Sequence, residues 1–72
     1  MAKNYHIRFN TKHGDSDLVW RVFEDGVEHL VKNIDIRVPV TGENTMENGV
    51  QKWNISCKGT MRIVNDIAYI WH

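Results

Sequence analysis

Apolar and polar residues alternate with a period of two along most of the chain, the period of a β-strand with one buried face. In residues 5–11, Tyr5, Ile7 and Phe9 alternate with His6, Arg8 and Asn10, and a first strand is expected there. The next stretch, "KHGDSD", loses the alternation and reads as a loop. Residues 18–24 are apolar on both faces through Val19, Trp20, Val22 and Phe23, which predicts a central strand covered on both sides. Asp25-Gly26 separates this run from a third, and Asp-Gly between two apolar runs suits the positive φ angles of a two-residue type I′ hairpin. The third strand extends from Val27 to Val38. That length requires a bend, and the polar pair Lys32-Asn33 is the expected place for it. Pro39 cannot donate to a ladder and ends the strand.

"TGENTMENG", residues 41–49, is predicted to form the longest loop. The fourth strand follows with the cleanest pattern. Trp53, Ile55, Cys57, Met61 and Ile63 share one face, and Asn54, Ser56, Lys58, Thr60 and Arg62 share the other. Gly59 interrupts the apolar row and permits a kink, as at the corner of a barrel. Asn65-Asp66 then predicts a tight turn into a fifth strand, Ile67 to Trp71. Short strands in up-and-down order, two of them long and bendable, predict an all-β protein. The expected form is a small five-stranded, strongly bent antiparallel barrel with little or no helix, a single domain over residues 1–72.

Length changes this picture. A chain of 72 residues buries only about 60% of the surface its unfolded form exposes, and scaffolds of this size usually add a disulfide, a metal or a partner subunit. Cys57 is the single cysteine, so no internal disulfide forms, and self-association is the remaining expectation. Nine basic residues balance nine acidic ones, which argues against a strongly electrostatic binder, although local clustering still matters. No apolar run approaches the roughly 20 residues of a membrane span, and "MAKNYHIRFN" lacks the apolar stretch of a signal peptide. The expectation is a cytoplasmic protein without a membrane partner, in which a lone thiol stays reduced.

The candidate chemistry is sparse. His13, Asp15 and Asp17 resemble a metal loop only loosely, since calcium needs six or more oxygen ligands in order. His6, His29 and His72 stand apart without paired ligand spacing. Cys57 lies on the apolar face, where a thiol without a nearby cation is inert. No nucleophile-and-base grouping or Gly-rich phosphate loop is present, so neither catalysis, a metal nor a cofactor is expected. Trp20, Phe23 and Trp53 are expected in the core. One constellation carries functional content: the polar face of the fourth strand, with Lys52, Asn54, Ser56, Lys58, Thr60 and Arg62. It holds three positive charges and no negative one in a neutral chain. It reads either as a track for a phosphate backbone or as an ordinary solvated face.

The segment "MRIVNDIAYI" resembles the second motif of the Sm and Sm-like proteins, in which a long strand, a polar turn and a short apolar strand follow one another. Asn65-Asp66 match the turn, and Ile67, Tyr69 and Ile70 match the short strand. Ile63 and Val64 stand in that motif's Arg-Gly places, and no Asp-x-x-Met-Asn signature of the first motif is present. The element order over residues 4–71 is similar to the whole Sm barrel. The resemblance implies a homo-oligomeric ring in which Ile67, Ala68, Tyr69, Ile70 and Trp71 pair with a neighbour's fourth strand. Together with the basic polar face of the fourth strand, it gives the expectation of single-stranded RNA bound at Lys52, Asn54, Lys58, Arg62, Asn65 and Asp66, with little sequence preference because the motif's Arg-Gly is missing. In size and style the chain is also similar to small phage-encoded proteins, which implies the host cytoplasm. The alternative is a protein-interaction or structural module on the same barrel without nucleic acid, and fold does not choose between the two.

Overall fold

The computed structural model describes residues 2–12, 18–47 and 49–72. Among them the architecture is all-β: β1 Lys3–Lys12, β2 Leu18–Glu24, β3 Val27–Val31, β4 Asn33–Ile36, β5 Val40–Glu47, β6 Val50–Val64 and β7 Ile67–Trp71. No helix occurs among these residues, so none is long and apolar enough to cross a membrane.

Two type I′ turns set the register. Asp25 and Gly26 have φ of 51° and 81°, and Asn65 and Asp66 have φ of 52° and 62°, so both central residues of each turn lie in the left-handed region that such turns require. The third strand bends where its polar pair predicts: Lys32 separates β3 from β4. β3 pairs with β2 and β4 pairs with β7. The hydrogen-bonded order β3-β2-β1-β6-β7-β4 therefore begins and ends on two halves of one bent strand, and the sheet curls back on itself as a small barrel. β6 bends too, pairing with β1 and β5 through its first part and with β7 through its last.

The core lies inside this curl. Tyr5, Ile7, Val22, Val31, Ile55, Cys57, Ala68 and Ile70 are buried, and Trp20, Ile34, Ile36, Val38, Trp53 and Met61 pack around them. Gly59 is buried as well. A Cβ there would stand 2.5 Å from the Trp71 carbonyl oxygen, so the glycine in the apolar row exists because the end of β7 passes directly over it.

Three expectations are corrected. The barrel is not wholly antiparallel: β4 and β7 run parallel, with Ile34 beside Ala68 and Ile36 beside Ile70. Residues 41–49 are not a long loop, since β5 pairs with β6 from Val40 opposite Cys57 to Glu47 opposite Val50. Its residues Val40 to Met46 are exposed, so they bury nothing that would leave an alternating signature. Lastly, the fifth strand is not an open edge. β7 bonds to β6 on one side and to β4 on the other, leaving Ile67, Ala68, Tyr69, Ile70 and Trp71 no free ladder for a neighbour's fourth strand. The apolar tail is explained by its own barrel, with Ala68 and Ile70 fully buried; Tyr69 and Trp71, on the alternate phase, point outward.

Candidate nucleic-acid interface

Alternation fixes what the outer face of the sheet carries. Because Tyr5 and Ile7 take the interior of β1, His6 and Arg8 project outward; because Val22 is buried in β2, Arg21 and Phe23 project outward. On β6 the interior belongs to Ile55 and Cys57, which turns Lys52, Asn54, Ser56 and Lys58 to the outside. Register then aligns these side chains in rows. Ser56, His6 and Phe23 form one row across β6, β1 and β2, and Asn54, Arg8 and Arg21 form the next.

The two rows are joined by contacts of known geometry. His6 Nε2 lies 2.8 Å from Asn54 Oδ1 and His6 Nδ1 lies 3.1 Å from Ser56 Oγ. A carbonyl oxygen can only accept, so Nε2 carries the hydrogen of the first bond. The Phe23 ring is flanked by two guanidiniums, Arg8 at 5.5 Å and Arg21 at 5.6 Å from its centroid, within cation–π range. The His6 ring stands tilted 6.5 Å from it. Arg21 donates twice to Glu28 Oε2, from Nε at 3.2 Å and from a terminal nitrogen at 2.8 Å. Two shallow recesses border the rows. One of about 220 Å³ is lined by Arg8, Glu43, Thr45, Lys52, Trp53 and Asn54, and one of about 420 Å³ includes Asn4, Thr41, Ser56 and Lys58.

Of the six residues expected to contact RNA, Lys52, Asn54 and Lys58 share this face. Arg62 continues the same phase of β6 beyond Gly59, where it stands opposite Tyr69 on β7. Asn65 and Asp66 are elsewhere. They form the β6–β7 turn, and the Asp66 carbonyl accepts from the backbone N–H groups of Lys32 at 2.8 Å and Asn33 at 3.3 Å, which ties the turn to the bend of the third strand.

No family model, curated protein or solved structure matches this chain. What the face does therefore rests on its own geometry. Sequence reasoning missed His6, Arg8, Arg21 and Phe23. The first two were legible as the polar phase of the first strand, but nothing local shows that β1 lies beside β6. Phe23 corrects the expectation of a core residue. Trp20 and Trp53 do pack inside, ring against ring at 4.9 Å, whereas Phe23 has the opposite phase and is covered by arginine and histidine side chains instead of a second layer.

The remaining candidates fall into place simply. Cys57 is buried, and burial raises its thiol pKa, the condition of an unreactive thiol. Among the described residues no group of three metal-ligating side chains gathers. His13, Asp15 and Asp17 lie outside the described residues.

Proposed function

We propose that the protein binds single-stranded nucleic acid, RNA in the first instance, on the outer face of β1, β2 and β6, without catalysis. The observation that carries this reading is Phe23 held between Arg8 and Arg21 beside the Lys52, Asn54, Lys58 row. Guanidiniums layered over an aromatic ring offer a base a planar stacking surface and its phosphates a counter-charge, a combination that tolerates any sequence because every base has a π-face. Asn54 and Ser56 add donors and acceptors for sugar or base edges. β1 lies between β2 and β6, and the third strand runs parallel to the fifth. Small closed β-barrels include oligonucleotide binders as well as proteins of unrelated function, so the fold is compatible with the reading without choosing it. A cytoplasmic setting, in which Cys57 stays reduced, suits the proposal.

Fluorescence anisotropy with labelled oligouridine at low salt tests it. Wild type should bind, Phe23→Ala should lose about ten-fold in affinity as one stacking partner disappears, and Arg8→Glu with Lys58→Glu should abolish binding while the circular dichroism spectrum stays that of the wild type. Equal binding by all three would reject the face.

One observation favours a second reading, a protein-interaction or structural module. Among the described residues β5 pairs with β6 alone, and its Val40 and Met46 are exposed, Met46 to 68%. A free strand edge of this length is where a partner strand, or a second copy in a ring, can add. Sedimentation velocity separates the cases: a single larger species that Thr41→Pro reduces to monomer would place the contact at β5.

A further inference from the structure

The outer face of β7 carries two aromatic rings, Trp71 exposed and Tyr69 half-buried. Ala68 and Ile70 close the interior, both fully buried, while Trp71 on the alternate phase is 39% exposed. A lone exposed apolar side chain is ordinary, and it is the grouping of Trp71 with a second aromatic ring and nearby cations that carries information. Tyr69 stands two residues away on the same face, between Arg62 across β6 and Asp35 across β4. Arg62 is the register partner of Tyr69 across β6. Arg37, its side chain 76% exposed, lines a recess of about 400 Å³ with Asp35, Tyr69, Ile70 and Trp71. The Arg37 backbone N–H donates to the Ile70 carbonyl at 2.8 Å and its Nε lies 3.3 Å from Asp35 Oδ1. An exposed ion pair of this kind holds the guanidinium weakly.

This surface is continuous with the face described above. The outward phase of β6 runs through Lys58, Thr60 and Arg62, and Thr60 is the register partner of Trp71. Lys58 and Arg62 therefore flank the Thr60–Trp71 row, each about 7 Å away at roughly 3.3 Å rise per residue. Cations on either side of an exposed indole place counter-charge where the phosphates before and after a stacked base would lie. From Asn54, in the Arg8–Arg21 row, to Arg62 the strand covers about 26 Å at that rise, a path for several nucleotides.

We infer that Tyr69 and Trp71 form a second base-stacking platform, and that a bound single strand follows β6 from Phe23 past Gly59 to Trp71. The inference rests on the nucleic-acid reading and extends it to a site that the Phe23 face does not include. It requires a strand long enough to reach both platforms. Oligonucleotides of about 12 nucleotides should bind at least ten-fold more tightly than those of about 4, within the range of site sizes for such barrels.

Tryptophan fluorescence tests the platform, because Trp71 is the exposed tryptophan whereas Trp20 and Trp53 are partly buried against each other; Trp53 also borders the Arg8 recess, so the platform's share of any quench is the share lost in Trp71→Phe. Titration of the wild type with oligouridine of about 12 nucleotides at low salt should quench emission. Trp71→Phe, which keeps a stacking ring, should lose that share of the quench, and Tyr69→Ala with Trp71→Ala should weaken anisotropy-measured affinity about ten-fold. If the double variant fails to fold, the quench and its loss in Trp71→Phe decide. Binding without a quench, or a quench that persists undiminished in Trp71→Phe, overturns the platform and leaves the Phe23 face standing. Absence of binding by any oligonucleotide overturns both.

Discussion

Arg8 and Arg21 stand directly opposite each other across the β1–β2 pair. Like charges in that position cost the sheet stability, about 0.2–1 kcal/mol relative to neutral pairs. Glu28 neutralises Arg21, whereas Arg8 lies against the Phe23 ring and faces solvent, with Glu43 lining the same recess. A fold with a marginal core gains nothing from this arrangement, whereas an anion-binding face does. Arg8→Gln should therefore raise the melting temperature by a degree or more while weakening oligonucleotide binding. A thermal melt and a binding titration on the same preparation check it; a variant that loses stability would show that Arg8 serves the fold.

Gly59 is a second point where one atom decides. An alanine Cβ would meet the Trp71 carbonyl at 2.5 Å and the Ile70 side chain at 3.3 Å, and neither can yield without moving β7. Gly59→Ala should cost about 1–3 kcal/mol, the usual range for overpacking. Denaturant unfolding measures it. Hydrogen exchange should show protection lost first at residues 67–71.

Tyr5 links three strands through its hydroxyl, which donates to Glu24 Oε2 at 2.8 Å and accepts from the Met61 backbone N–H at 3.1 Å. Burial foremost, then the bond to the Glu24 carboxylate, push its pKa from 10.0 up to about 12. The folded state thus prefers the neutral phenol. The stability this gives is fully present below the unfolded value of about 10 and is lost as pH rises from there through about 12. In Tyr69→Phe, where Tyr5 is the remaining tyrosine, ultraviolet titration of tyrosinate should have its midpoint near the upper value. Tyr5→Phe should cost about 1 kcal/mol at neutral pH and flatten the alkaline fall in stability.

Because β7 is bonded on both edges, a proline within it should act on the fold and not on assembly. Tyr69→Pro removes a ladder donor from an inner strand. The expected outcome is loss of the folded spectrum at ambient temperature. A folded variant of altered sedimentation would instead show that β7 serves an interface.

Much of this barrel was legible from local chemistry. The hairpin at Asp25-Gly26, the bend at Lys32 and the turn at Asn65-Asp66 follow from φ preferences or local polarity, which act within a few residues, whereas the third strand ends at Ile36, short of the expected stop at Pro39. Lys52, Asn54 and Lys58 were legible as one face for the same reason, since alternation is local. The strand at β5 was not, because Gly42, Glu43 and Asn44 have no strand signature of their own and are held by pairing to β6. Nor were Arg8 and Phe23 legible as row mates of Asn54 and Ser56. Their meeting depends on β1 lying between β2 and β6, a long-range choice that no short window of sequence records. The phase of the tail was ambiguous for a different reason: five consecutive apolar residues, Ile67 to Trp71, fit either face, and only Gly59 beneath the strand end distinguishes them.

The central claim is that the outer face is an electrostatic and stacking surface for single-stranded nucleic acid, and the salt dependence of binding tests it most directly. Each phosphate neutralised by a side chain releases counterions, so the logarithm of affinity should fall with the logarithm of salt at about −0.7 per contact. With Arg8, Lys52 and Lys58 engaged, the slope for a short oligouridine should be near −2, and Lys58→Gln should reduce its magnitude by about 0.7. A protein that binds no oligonucleotide at low salt, or whose affinity is indifferent to salt and to Lys58, would contradict the account.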